Sequence, residues 1–189
     1  GVRWLGQHIA PAMPCIYVAG NHEFYKGSIK EGVAAGLAAA RDTPGVDFLE
    51  NDAVTINGVR FLGATLWTDF RIDGAPEAAM DNARRRMNDY RQIAWEKKPW
   101  KRFLPIHSYR LHQDSRAFLA RELEASPLPT VVVTHHLPHS RSVPARFKGD
   151  PTTAAYASDL SGMIEEGAPA LWIHGHMHDS CDYVAGGTR

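Results

Sequence analysis

Cysteine is scarce in this chain: Cys15 and Cys181 are the two among 189 residues, and they form no C-x-x-C spacing. That excludes a disulfide framework and a zinc knuckle, and it points to a reducing, cytoplasmic setting. Net charge is missing as well, with 21 Lys and Arg against 21 Asp and Glu. The balance argues against a nucleic-acid-binding face and against attraction to anionic membrane, so any phosphate recognition has to be local. No apolar run approaches the roughly 18 residues of a membrane helix. No repeat or low-complexity tract divides the chain, whose length and 44% apolar content fit one domain over residues 1–189. An initiator methionine is absent too, and with the chain opening at Gly1 a signal peptide stays open.

What is present is a pattern of endings. Residues 14–19, 130–134 and 170–173 are short apolar stretches of strand length. The first runs into Asn21 and His22, the second into His135 and His136, the third into His174, His176 and His178. In layered α/β folds the carboxyl ends of strands are where ligands gather, because side chains from several strands converge there. His176 and His178 are two apart, so on extended chain they project to one side, while His174 reads as a core histidine. Imidazoles with an amide or carboxylate oxygen suit zinc, manganese or iron, and the lack of clustered thiolates disfavours a structural zinc site.

Between these stretches, residues 28–41 suit a helix, with Ser28 as N-cap and Glu31 closing a capping box. Asn57-Gly58, flanked by Val54, Ile56, Val59 and Phe61, signals a two-residue hairpin. Helical spacing of apolar residues predicts one helix over residues 76–94, a second over 111–125 and a short one over 158–166. Residues 182–189 read as a strand and a Gly186-Gly187 turn. Residues 71–102 hold nine basic residues against five acidic ones, which is read as a solvated helix face in preference to a phosphate-attracting cap. Trp67 and Asp69 are explained by core packing and a turn cap as well as by a cleft.

Gly20-Asn21-His22-Glu23, then Thr134-His135-His136-Leu137-Pro138, then Gly175-His176-Met177-His178, in that order, resemble the later motifs of the calcineurin-like metallophosphoesterases. The resemblance runs from residue 20 to 178, and three motifs each following a predicted strand are far more specific than any one alone. It implies a four-layer α/β/β/α sandwich with two divalent metal ions, Mn, Fe or Zn, bridged by an Asp and a hydroxide. It also implies metal-dependent hydrolysis of a phosphorylated small molecule or a phosphodiester. Carried over by position, Asn21, His135 and His176 hold one metal and His178 the other, and His22 donates the proton to the leaving group.

Glu23 stands either as an orienting group or as a helix-start acid. His136 and His139 touch phosphate or pack. Residues 74–126 form a helical insertion or cap that decides the substrate, with His107, Arg110 and His112 as its candidate contacts. The family's early Asp-x-His and Gly-Asp motifs, which supply three further ligands, have no counterpart here. The expectation is a fragment cut at both ends, short of roughly thirty residues, inactive by itself and poorly folded alone, which a sharp cooperative thermal transition would contradict. Two other readings stand beside the hydrolase: a non-catalytic interaction scaffold on the same fold, and a mononuclear zinc-binding domain using Asn21, His135 and His176.

Overall fold

In a computed structural model describing residues 1–125 and 127–189, the chain builds three β-sheets, two of them packed face to face with helices outside each. The first half gives α1 (Val2–His8), β1 (Cys15–Tyr17), α2 (Ile29–Arg41) and β2 (Val46–Phe48). β1 and β2 pair in parallel through the α2 crossover. β3 (Asp52–Ile56) and β4 (Val59–Ala64) follow as the antiparallel hairpin the sequence predicts. Asn57 and Gly58, with φ of 51° and 79°, make the turn, a left-handed pair whose twist matches that of the flanking strands.

The second half begins with α3 (Pro76–Arg86), α4 (Asp89–Gln92) and a hairpin of β5 (Ala94–Lys97) and β6 (Trp100–Arg102). α5 (Pro105–Ala125), β7 (Thr130–Thr134), α6 (Ser161–Gly167) and β8 (Leu171–Ile173) complete it. The larger sheet runs β3-β4-β7-β8, with β4, β7 and β8 parallel. Leu62 of β4, Val132 of β7 and Leu119 of α5 are fully buried against one another's elements, with Ile164 of α6 beside them. Each such side chain contributes about 1.5–3 kcal/mol on leaving water. On the other side α1 and α2 cover β1 and β2 through Val2, Ile29, Cys15, Val46 and Phe48. At Gly63 the two sheets come so close that a Cβ would meet Leu49 at 2.3 Å. The α/β class and the layer order thus agree with expectation.

Four local readings need correction. The helix expected over residues 76–94 breaks at Met87, whose ψ of 134° is extended; the Met80, Ala83, Met87, Tyr90 spacing holds, but the chain turns there to start α4. Within the expected helical segment 74–126, whose last residue lies outside the described residues, the chain carries the β5–β6 hairpin, and α5 is part of the main core through Phe118, Leu119 and Leu123. Ser28 does precede α2, but its side chain caps no backbone N–H; the hydroxyl instead donates to the Glu31 carboxylate. At residues 182–189 the expected strand is reduced to a single bridge between Ala185 and Thr188.

Glu50, just after β2, is a half-buried acid outside any site. Its carboxylate accepts from the Thr65 N–H at 3.1 Å and the Thr65 hydroxyl at 2.5 Å. Burial outweighs these bonds and raises its pKa to about 7. A folded-state pKa above the unfolded one means that this group's contribution is complete below about pH 4.5 and is lost as pH rises through about 7. Glu50→Gln keeps an acceptor for Thr65 and removes the titration. It is expected to flatten the decline in unfolding free energy between pH 5 and 7 by roughly 2–3 kcal/mol, measured by urea unfolding across that range. An unchanged pH slope would mean that the carboxylate ionises freely in the fold.

Candidate active site

Three strand ends converge on one cavity of about 510 Å³. β1 leads through Ala19 and Gly20 into a single 3-10 turn, Asn21–Phe24, which buries Asn21 and leaves His22 and Glu23 exposed at its mouth. The Glu23 carboxylate accepts from the Gly20 N–H at 2.8 Å, the helix-start role open to it from sequence. β7 ends at Thr134 and delivers His135. β8 ends at Ile173, and the chain then turns sharply: Met177 N–H donates to the Gly175 carbonyl at 3.0 Å, with His176 at φ 73° and His178 at φ 56°. Extended geometry is therefore not what aligns His176 and His178. Two left-handed residues do so, a conformation that costs non-glycine residues energy and collects at functional sites.

The heart of the cavity is a triangle of donor atoms. His135 Nε2 lies 3.0 Å from Asn21 Oδ1 and 2.9 Å from His176 Nδ1. Neighbouring ligands bound at about 2.1 Å in octahedral geometry stand about 3.0 Å apart, so this set fits part of the shell of a divalent ion. His176 Nε2 is buried without a hydrogen-bond partner among the described residues. Burial, opposed by Glu23 and reinforced by neighbouring imidazoles, pulls His135 down to about 4. Burial and the same kind of neighbours pull His176 to about 3. Both rings are neutral near pH 7 and keep the lone pairs that a metal needs. His178 lines the same cavity as a fourth donor. Among the described residues no group of three or more His, Cys, Asp and Glu side chains is placed to hold an ion. A second ion thus finds His178 and no completed set, in keeping with the missing Asp-x-His and Gly-Asp motifs.

His22 lies at the cavity edge with its ring 4.5 Å from that of Tyr25. His136 is not on the wall. It is 2% exposed, its Nδ1 is 3.1 Å from the Thr65 carbonyl, and its ring supports His176 from beneath at 4.4 Å. Trp67 packs under His136 at 5.1 Å, and Asp69 caps a turn by accepting from the Arg71 N–H. Arg110 is on the exposed face of α5, away from the cavity. His112 is sealed in the core against the Leu66 and Trp67 carbonyls, and His107 stacks on Trp95 while accepting from the Leu104 N–H. None of these three lines the cavity, because the register of α5 turns them inward or away.

The cavity is also lined by residues that no motif marks: Arg86, Asn88 and Asp89 around the α3–α4 break, with Tyr25, Tyr156 and Phe147. Asp89 is 2% exposed and accepts from Asn21 Nδ2 at 2.7 Å. The basic segment is mostly a solvated face, as with the Asp81–Arg85 pair one helical turn apart, but Arg86 reaches the cavity.

With this geometry, a family model of calcineurin-like phosphoesterases matches residues 2–180. No curated protein matches the sequence. Among solved structures, the phosphopantetheinyl hydrolase PptH from Mycobacterium tuberculosis is 16% identical with a TM-score of 0.66, over 93% of this chain and 66% of that one. A second crystal structure is 14% identical with a TM-score of 0.56, over 99% of this chain and 58% of its own. The likeness at such identity is one of fold, and this chain spans less than two thirds of either relative.

Proposed function

We propose, because this chain belongs to the calcineurin-like phosphoesterase family, that the protein hydrolyses a phosphoester of a small molecule at the cavity between its strand ends. The observation that carries this is the triangle of Asn21 Oδ1, His135 Nε2 and His176 Nδ1 on a wall shared with His22 and His178. Asn21, His135 and His176 hold one divalent ion, Mn, Fe or Zn, and His178 contributes to a second. Such ions, when bound, would supply charge neutralisation for phosphate oxygens and acidification of water.

The chain's own side chains do the rest. His22 hands a proton to the departing oxygen from the cavity edge. Arg86 meets the charge of the substrate, and Tyr25, Tyr156 and Phe147 line the space for the leaving group. A volume of about 510 Å³ suits a small-molecule ester.

The test is metal analysis of the full-length protein together with turnover of p-nitrophenyl phosphate and bis(p-nitrophenyl) phosphate. Two ions with chelator-sensitive hydrolysis are expected. One ion points to the mononuclear zinc reading. No ion and no hydrolysis points to the interaction scaffold, and either result overturns the two-ion hydrolase.

A further inference from the structure

Asp89 is a carboxylate for which the hydrolytic reading has no task. It opens α4, its side chain is almost wholly buried, and among the described residues no Lys or Arg forms an ion pair with it. Taking an acid out of water without a cation is costly. The backbone that holds it there is well anchored. Tyr90, the next residue, is buried against Phe103, and its hydroxyl is 2.9 Å from Ser108 Oγ on α5.

Asp89 accepts from the Tyr25 hydroxyl and from the donor end of Asn21. A carboxamide is a rigid plane with a hydrogen-bond donor at one end and an acceptor at the other, and only the oxygen end can ligate a cation. Asn21 Nδ2 donates to Asp89 Oδ1 at 2.7 Å, and Asn21 Oδ1 thereby faces His135 Nε2 at 3.0 Å. Turned over, the amide would present an NH2 group to the imidazoles and lose its acceptor. We propose that Asp89 is a positioning residue that locks the Asn21 carboxamide in its ligating orientation and so sets the affinity of the Asn21–His135–His176 site for a divalent cation.

This rests on the reading that these three side chains hold a metal ion, and it extends that reading to a residue that no motif includes. The charge of Asp89 acts in the same direction. One amide away from the donor triangle, a negative group favours a doubly positive ion over an empty site. Orienting partners of metal ligands typically influence affinity by about 10–100-fold.

Calorimetric titration of the full chain with Mn²⁺ tests the proposal. Asp89→Ala is expected to raise the Kd for Mn²⁺ by about 10–100-fold, with a much smaller change in kcat once metal is saturating. Asp89→Asn keeps an acceptor oxygen within reach of Nδ2 and is expected to recover most of that loss, falling short of wild type by the share that the charge supplies. Where Asp89→Ala fails to fold, Asp89→Leu carries the comparison, since it fills the volume without offering an acceptor. In an Asn21→Ala background the Asp89→Ala change is expected to add little further loss, because the group it orients is gone. Losses that simply add in the double variant, or equal Kd values for wild type and Asp89→Ala, overturn the positioning role. Wild-type protein that takes up no Mn²⁺ overturns the metal reading and this proposal together.

Discussion

Replacing His22 by alanine is expected to lower kcat by about 10²–10⁴ while metal stoichiometry stays as in the wild type. Its neighbour Asn21 points into the fold, toward His135 and Asp89, whereas His22 is exposed at the cavity mouth with its ring beside Tyr25. The 3-10 turn places these two consecutive side chains on opposite tasks, one inward as a donor atom and one outward where a leaving group would depart. A proton donor matters in proportion to how poor the leaving group is. The His22→Ala loss should therefore be large for an alkyl phosphate, whose alkoxide cannot depart unprotonated. It should be much smaller for p-nitrophenyl phosphate, whose phenolate is already a stable anion. Steady-state kinetics with both esters, alongside metal analysis, separates the roles. An equal loss on the two esters would deny His22 the proton-donor role, and a loss of metal would make it a ligand.

How much of this was legible in the sequence depends on what kind of signal each residue leaves. Asn21, His135 and His176 end or follow apolar runs of strand length, so order brought them to one edge among several other histidines and the family resemblance singled them out; the structure puts the Asn21 and His176 donor atoms within 3.0 Å of His135 Nε2. The Asn57-Gly58 turn was legible because two consecutive left-handed residues admit few side chains. His176 and His178 were paired for a reason that fails: the chain there is not extended, and left-handed backbone at histidine has no sequence signature. Asp89 was hidden more deeply. In the sequence it stands between Met87 and Tyr90 in what scans as one amphipathic helix, on a face that reads as solvated. Only the break at Met87 turns it inward, and a break without Pro or Gly cannot be foreseen from periodicity. His112 and Arg110 show the converse. A polar residue near a predicted joint attracts a functional reading, yet burial against the Leu66 and Trp67 carbonyls gives His112 a structural one.

Gly20→Ala is expected to abolish the site through a single methyl group. Gly20 has φ −94°, a conformation open to any residue, so backbone freedom is not the reason for glycine here. Space is: a Cβ at this position would stand 2.5 Å from His135 Cε1 and 2.7 Å from Nδ1, far inside van der Waals contact. The ring has little room to retreat, since His136 meets it edge-on at 5.1 Å and His176 at 4.7 Å. Moving it opens the donor triangle. Displacements near 1 Å at a reacting site cost about 10²-fold in rate, and overpacking adds about 1–3 kcal/mol of destabilisation. Gly20→Ala should thus lose divalent-ion binding and turnover together, with only a partial drop in unfolding free energy. Gly58→Ala is the matched control. Its Cβ would meet nothing within 4 Å, but φ is 79°, so it should lose about 1–2 kcal/mol from left-handed strain and keep its metal affinity. Calorimetry with Mn²⁺ and urea unfolding on both variants read the two effects separately. If Gly20→Ala bound Mn²⁺ as tightly as Gly58→Ala, the His135 ring could not be the fixed centre of the site.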